Sequence, residues 1–207
     1  MDERIQKYEE KMKKIILLFA VCMASVAGLK AQSIVIGPKA GWNITNISNI
    51  DDNKNKLSFH LGAFAEFKVN DYFSVQPELV YSRQGLRAEK LEGLKRRARV
   101  NYLNIPVLAK FYVWDELSVD LGPQFGFALN GKYKFSKDGD SEKRKIRDLN
   151  TFDLSFALGL SYNWEDFMFS ARYNFGITNV IDKDAAGDNN KNHVFQLSVG
   201  YRFNDLF

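Results

Sequence analysis

Residues 152–164, FDLSFALGLSYNW, alternate between two kinds of side chain along their whole length. Strict alternation with a period of two predicts a β-strand with two different faces. One face is apolar or aromatic and carries Phe152, Leu154, Phe156, Leu158, Leu160, Tyr162 and Trp164. The opposite face is small or polar and carries Asp153, Ser155, Ala157, Gly159, Ser161 and Asn163.

The length of this segment indicates its surroundings. At about 3.3 Å per residue the strand covers roughly 40 Å, which is about 30 Å of height at a tilt of about 40°. That height matches the hydrocarbon thickness of a bilayer, and soluble strands are usually about half as long. Because small polar residues suit the crowded interior of a narrow barrel, we interpret the segment as a transmembrane strand with its apolar face on lipid.

Seven further segments repeat this pattern. In the fifth of the eight, for example, Val119 and Leu121 alternate with Asp120 and Gly122, and Asn130 is assigned to the polar face. Eight such segments predict an all-β fold, an eight-stranded antiparallel up-and-down transmembrane β-barrel. The other segments are 34–46, 58–69, 73–85, 100–113, 117–135, 167–178 and 193–203.

The connections alternate between short and long, as they do in outer-membrane barrels with short periplasmic turns and long outer loops. Long connections lie near 47–57, 86–99, 136–150 and 179–192. Aromatic residues cluster at the short-turn ends, where an interfacial girdle is expected. They are Tyr72, Phe73, Tyr112, Trp114, Tyr162, Trp164, Phe167, Tyr201 and Phe203.

Prolines interrupt the pattern because they lack a backbone N–H. Each of the four lies inside a predicted strand, and we expect a β-bulge at each point. They are Pro38, Pro77, Pro106 and Pro123.

The N-terminus is typical of export. An apolar run over 15–29 follows Lys13 and Lys14 and is followed by Ala31, which predicts a secretory signal peptide over 1–31 and a barrel domain over 32–207. The charged stretch 1–11 fits either a spurious extension ahead of a start at Met12 or a long leader.

Charge and cysteine usage exclude several classes of function. Without residues 1–31 the chain keeps 23 Lys plus Arg and 21 Asp plus Glu, so its net charge is only +2 and its high pI is not by itself evidence of nucleic-acid binding. The single cysteine, Cys22, falls inside the predicted leader, so the barrel domain offers no thiol for a disulfide or a metal.

Three stretches carry a resemblance to a known family. IGPKAGWNITNIS (36–48), YLNIPVLAKFYV (102–113) and GYRF (200–203), together with the Ala31-Gln32 signal exit, resemble the PorT-like outer-membrane β-barrel family of Bacteroidota. The resemblance covers residues 32–207 and implies an outer-membrane barrel. It implies no activity, because most members have no assigned chemistry.

The inward face is predicted to carry five bases and four acids. In a barrel of eight strands this balance favours a salt-bridge network that plugs the lumen, while the alternative is an ion pathway and hence a small channel or a transport or secretion accessory protein. Strand direction places Lys39, Glu78 and Arg172 near mid-height. The full set is Lys39, Glu66, Lys68, Glu78, Lys110, Asp120, Asp153, Arg172 and Arg202.

The predicted outer loops are basic. We expect them to meet outer-membrane lipid and lipopolysaccharide phosphates, although a solvated loop or a host ligand would also fit. Nucleic acid is not expected, because no aromatic stacking platform accompanies the charge. The basic loop residues are Arg87, Lys95, Arg96, Arg97, Arg99, Lys143, Arg144 and Lys145.

Catalytic chemistry has little support. His60 and His193 are the only histidines, and no motif joins them to Ser58, Asp51 or Asp52 as base, nucleophile and orienting group. We therefore expect a non-enzymatic protein with no catalytic, cofactor or metal residues; a lipid-modifying enzyme is the less favoured alternative. We expect a monomer inserted by the barrel-assembly machinery. A soluble lipocalin-like barrel is disfavoured, since about forty large apolar side chains exceed the space inside eight strands.

Overall fold

The computed structural model of the protein describes residues 33–47, 53–54, 56–85, 87–89, 95–137, 140–145, 151–179 and 191–203. The predicted signal peptide, 1–31, lies outside the described residues, as do Asp51 and Asp52. In the described part of the chain, no helix is long and apolar enough to cross a membrane.

The described residues form eleven strands, eight long and three short. The long strands are β1 (Ser33–Ile47), β3 (Lys56–Asn70), β4 (Phe73–Gln84), β6 (Lys95–Tyr112), β7 (Leu117–Lys137), β9 (Phe152–Trp164), β10 (Phe167–Asn179) and β11 (Lys191–Tyr201). The short ones are β2 (Asn53–Lys54), β5 (Arg87–Glu89) and β8 (Asp140–Lys145).

The eight long strands close into a barrel. Each pairs antiparallel with its neighbours in chain order, and β1 pairs with β11 to complete the ring. The predicted fold is confirmed. Strand β9 has the bounds that its alternation predicts, 152–164.

The two faces of the wall divide as the alternation predicts. On β1, Trp42 is 62% exposed on the outside, while the adjacent Asn43 is fully buried inside. Inward glycines let the strands approach closely, because a Cβ at Gly37 or Gly41 would collide with a backbone carbonyl of β11. A small apolar cluster, Val35, Phe64 and Met168, is the hydrophobic core inside the barrel. This inside-out arrangement is that of a transmembrane barrel.

One inward assignment is wrong. The β6–β7 register shifts between Asn101↔Asn130 and Tyr102↔Ala128, so Leu129 is an extra residue on β7. Beyond this bulge the alternation reverses. Asn130 is therefore exposed, and its side-chain oxygen accepts a hydrogen bond from Asn101 Nδ2 at 2.8 Å.

The expected bulges at the prolines are also wrong, because the register is the same on both sides of each proline. Each proline keeps its pairing to one neighbouring strand, and the ladder to the other neighbour skips that point. Pro77, for instance, pairs with Val107 of β6 and leaves a gap toward β3. A missing N–H affects only one side of a strand, so a local gap is sufficient. The retained partners of the other three are Ala63 for Pro38, Gln124 for Pro106 and Phe156 for Pro123.

The basic segments predicted as loops are largely β-strand. Strands β6 and β7 continue past the barrel wall, and the short strands β2, β5 and β8 pair beside them. Arg87 lies in β5, Lys95, Arg96, Arg97 and Arg99 in β6, and Lys143, Arg144 and Lys145 in β8. The correction follows from the composition: these strands cover no apolar core, so they show no apolar alternation.

Candidate functional site

The centre of the lumen is organised around one carboxylate, Glu78 of β4. It accepts two hydrogen bonds from Lys39 Nζ, at 3.0 and 3.1 Å, and two from Arg172, NH2 to Oε1 at 2.9 Å and NH1 to Oε2 at 3.0 Å. Gln76 Nε2 donates a fifth at 2.7 Å. The three charged side chains are at most 4% exposed. Paired, forked hydrogen bonds of this kind are the strong geometry for a buried ion pair.

The Glu78–Arg172 pair crosses the barrel. In the ring of eight strands, β4 and β10 are separated by four steps in either direction, so they lie opposite each other. A direct bidentate contact between opposite walls fills the space between them. Lys39 reaches the same carboxylate from β1, two steps from β4. The three residues that strand direction places at mid-height are therefore in contact and cross the lumen.

A second ionic cluster lies toward the short-turn end. Lys110 Nζ is 3.3 Å from Glu66 Oε2 and donates to Gln76 Oε1 at 3.0 Å. Glu66 also accepts hydrogen bonds from Ser74, at 2.7 Å, and from the hydroxyl of Tyr112. Gln76 thus joins the two clusters, because its amide nitrogen donates to Glu78 while its oxygen accepts from Lys110.

The other residues predicted to lie in the lumen are Asp120, Asp153, Arg202 and Lys68. Asp120 is buried and accepts hydrogen bonds from Ser118, at 2.7 Å, and from Ser161. Asp153 accepts from Thr178 at 2.8 Å. Arg202 is 9% exposed. Lys68 is only half-buried and lies 5.9 Å from the centre of the Tyr112 ring.

Charges inside the barrel are balanced. Among the described residues, the buried charged side chains are four bases, Lys39, Lys110, Arg172 and Arg202, and four acids, Glu66, Glu78, Asp120 and Asp153. Balance matters because an uncompensated buried charge is strongly unfavourable. Functional roles for these residues stay predictions.

Apart from Asp153, near the start of β9, the half of the lumen nearer the long connections is held by neutral groups, and no sequence motif marks them. His60 Nδ1 is 2.7 Å from Asn43 Oδ1, and its Nε2 is 2.8 Å from Ser198 Oγ. Since an amide oxygen can only accept, Nδ1 carries a proton, and in the neutral imidazole Nε2 then accepts from the serine hydroxyl. Gln196 donates to the same Asn43 oxygen at 3.0 Å, and Asn43 Nδ2 donates to Ser82 at 2.9 Å.

This arrangement has the order of a nucleophile, a base and an orienting group, Ser198, His60 and Asn43. All three are buried, and the orienting Asn43 oxygen is shared with Gln196. His193 lies on the other face of the wall, where its ring stacks on Tyr173 at 6.1 Å. The two histidines therefore do not form one site. No group of three or more potential metal ligands occurs among the residues described.

At the end of the barrel with the long connections, the outward-facing residues of β6 and β7 change from apolar to polar and then to cationic over successive outward positions. Leu129 is 54% exposed on the outside, and the hydrogen-bonded pair Asn101 and Asn130 follows it. The next outward position is Arg99 in register with Lys132, and both are exposed. Exposed cations thus directly follow the last apolar residues of this wall.

Comparisons with known proteins agree with this architecture. A family model described as outer membrane protein beta-barrel domain matches residues 30–182, about three quarters of the chain. No curated protein sequence matches the chain.

Solved structures share the fold. The attachment invasion locus protein Ail of Yersinia pestis, in complex with the heparin analogue sucrose octasulfate, is 23% identical with a TM-score of 0.51, over 83% of this chain and 100% of that one. A second Ail structure gives 21% identity and 0.50, with the same coverage. Neisserial surface protein A gives 14% and 0.47, over 84% of this chain and 98% of that one.

Proposed function

Because this chain belongs to the outer membrane protein beta-barrel domain family and lies in the outer membrane, we propose that it is a non-enzymatic, non-conducting barrel that meets polyanionic glycolipid at its outer end. Within this proposal the chain is a PorT-like member of the family, on the residues that resemble that group, and it is a monomer inserted by the barrel-assembly machinery. Its partners are outer-membrane lipid and lipopolysaccharide.

The observation that carries the closed lumen is the Glu78–Arg172 contact between opposite walls. A lumen crossed by a bidentate ion pair at 2.9 and 3.0 Å leaves no straight path for an ion at that level. Opening such a path would require separating a buried, hydrogen-bonded ion pair and leaving its charges uncompensated, which is strongly unfavourable. A stable plug is thus favoured over a conducting channel.

Planar-bilayer recording on the refolded mature barrel tests this part. The wild-type protein, shown to be folded by its faster gel migration before heating, should give no steady current. Replacing the three crossing side chains in Lys39→Ala/Glu78→Ala/Arg172→Ala should produce small currents. The matched control Leu79→Ala/Tyr173→Ala alters the outer face of two of the same strands and should stay silent. A steady wild-type current would reject the plug and favour the channel.

The polyanion part rests on the exposed cations at the outer end, Arg99 and Lys132 among them. A headgroup with several phosphates would be attracted to such a surface, and the attraction should weaken with salt. The heparin analogue in the Ail structure is a sulfated sugar and supports testing multiply charged saccharides. Purified lipopolysaccharide should bind the barrel held in zwitterionic nanodiscs. No binding at low salt would reject this part.

The proposal that the protein is not an enzyme is supported by the burial of His60 and its two partners. His60 is 2% exposed, and its hydrogen bonds to Asn43 and Ser198 are enclosed by the lumen. A substrate could not reach the serine without opening the barrel. We therefore assign these contacts to lumen structure and not to catalysis.

A further inference from the structure

Five cations form one row across the sheet that extends beyond the barrel wall. The register pairs are Lys54↔Arg87 between β2 and β5, Arg87↔Arg97 between β5 and β6, Arg97↔Lys134 between β6 and β7, and Lys134↔Lys143 between β7 and β8. Residues directly opposite each other in an antiparallel sheet share a face. The row therefore contains five consecutive positions of like charge on one face.

A second row runs parallel to the first, two residues nearer the membrane. It consists of Arg99↔Lys132 and Lys132↔Lys145. Because alternate positions along a strand share a face, both rows are on the face to which exposed Arg99 and Lys132 belong. That face continues the lipid-facing wall of the barrel.

The opposite face of the same strands has a different composition. Val100 and Gly131 on this face are buried. From there to the ends of β6 and β7 its positions are Ala98, Arg96, Tyr133, Phe135 and Lys137, with Arg144, Glu142 and Asp140 in register on β8. Three cations, two acids and three apolar residues occupy these positions, so the charges on this face nearly cancel. Net positive charge is thus concentrated on one face and is not a general property of the extension.

Rows of like charge in register destabilise a sheet unless a counter-charge lies against them. Adjacent strands are about 4.8 Å apart and alternate residues about 6.8 Å apart, so the first row spans roughly 19 Å. A ligand that neutralises this grid must carry several anionic groups on a compact frame. Phosphates or sulfates on a saccharide have this chemistry.

We propose that these two rows form a binding site for the phosphorylated saccharide headgroup of lipopolysaccharide in the outer leaflet. The inference rests on the proposed polyanion function and assigns it to one face. The lipid source is favoured over a soluble polyanion because the rows extend the lipid-facing wall and follow Leu129 and the Asn101–Asn130 pair within a few residues. Headgroup phosphates of the surrounding leaflet lie at this level.

Two double variants distinguish an effect of the cationic face from an effect of the total charge. Arg97→Gln/Lys143→Gln removes two cations from the first row, and Arg96→Gln/Arg144→Gln removes two cations from adjacent positions of the same strands on the opposite face. Each is measured as the full mature barrel in zwitterionic nanodiscs, with gel migration before and after heating to verify folding. The probe is purified lipopolysaccharide, alongside its dephosphorylated form and dextran sulfate.

The row variant should bind lipopolysaccharide roughly tenfold or more weakly than wild type, and the control within about twofold. Dephosphorylation should abolish the difference. Equal weakening of both variants, or of neither, would overturn the assignment to this face while leaving the proposed function intact. No wild-type binding would overturn both. Dextran sulfate binding as tight as that of lipopolysaccharide would overturn the lipid source and indicate a soluble polyanion.

Discussion

The two halves of the lumen are filled in different ways. From mid-height toward the short turns, the contacts are ionic and centred on Glu78 and Glu66. Toward the long connections they are mostly neutral and centred on Asn43 and His60, and the one buried acid described there, Asp153, accepts a hydrogen bond from Thr178. A barrel interior of this width must be filled with polar groups in either case. The halves differ in the effect of a single substitution. In the first half it leaves a buried charge without its partner, and at Asn43 and His60 in the second it leaves a buried polar group without a hydrogen bond.

The largest effect is expected at Glu78. Replacing it in Glu78→Leu leaves Lys39 and Arg172 buried without their carboxylate, and removing one partner of a buried pair costs about 3–5 kcal/mol. The free energy of unfolding is measured by urea titration in lipid vesicles, followed by tryptophan fluorescence. The adjacent lipid-facing variant Leu79→Ile is the control and should be near wild type. A loss at Glu78 of less than about 1 kcal/mol would mean that the two cations are not dependent on it.

Removing all three charges at once should reverse most of that loss. In Lys39→Met/Glu78→Leu/Arg172→Met no charge remains unpaired, and replacing buried ion networks by apolar side chains is often neutral or stabilising. We expect unfolding at about the wild-type urea concentration or above it. If the triple variant is as unstable as Glu78→Leu, shape complementarity and not charge pairing determines the stability of this half.

A smaller loss is expected in the neutral half. Asn43→Ala removes the acceptor of His60 and Gln196 and the donor to Ser82, and each unsatisfied buried group costs about 1–3 kcal/mol. The same urea titration gives the value, with lipid-facing Ile44→Leu as the control. A loss equal to that of Glu78→Leu would remove the distinction between the two halves.

The smallest effect is expected at Ser198, where Ser198→Ala removes one hydrogen bond to His60 and should cost about 1 kcal/mol. The same position tests whether the neutral half has catalytic chemistry. Incubation of the folded barrel with a fluorophosphonate serine probe should give no labelling. Labelling that is present in wild type and lost in Ser198→Ala would identify a reactive serine and contradict the non-enzymatic proposal.

Alternation of side chains was sufficient to predict the barrel wall, because each strand has one lipid-facing side and one lumen-facing side. It failed at Asn130, where one extra residue, Leu129, reverses the faces without any local signal. It also failed for β5 and β8, since strands that cover no core carry no apolar pattern.

The contact partners of the inward side chains were harder to predict from the sequence than the faces of the strands. Strand direction places Lys39, Glu78 and Arg172 at a common height, and the predicted ring places their strands, but only the side-chain contacts show that Glu78 receives both cations. The neutral cluster had no sequence signal, because His60, Asn43 and Ser198 are far apart in the chain and Ser and Asn also suit turns. Its members share only an inward position on their strands.

The most direct test of the cross-lumen contact is a double-mutant cycle between Glu78→Gln and Arg172→Met, measured as unfolding free energies in vesicles. A direct bidentate pair predicts a coupling energy of about 2 kcal/mol, within the range of about 0.5–3 kcal/mol seen for residues in contact. The control cycle between Asp153→Asn and Arg172→Met joins residues with different hydrogen-bond partners and should be additive within about 0.5 kcal/mol. Additivity between Glu78 and Arg172 would contradict an ion pair that joins opposite walls and closes the lumen.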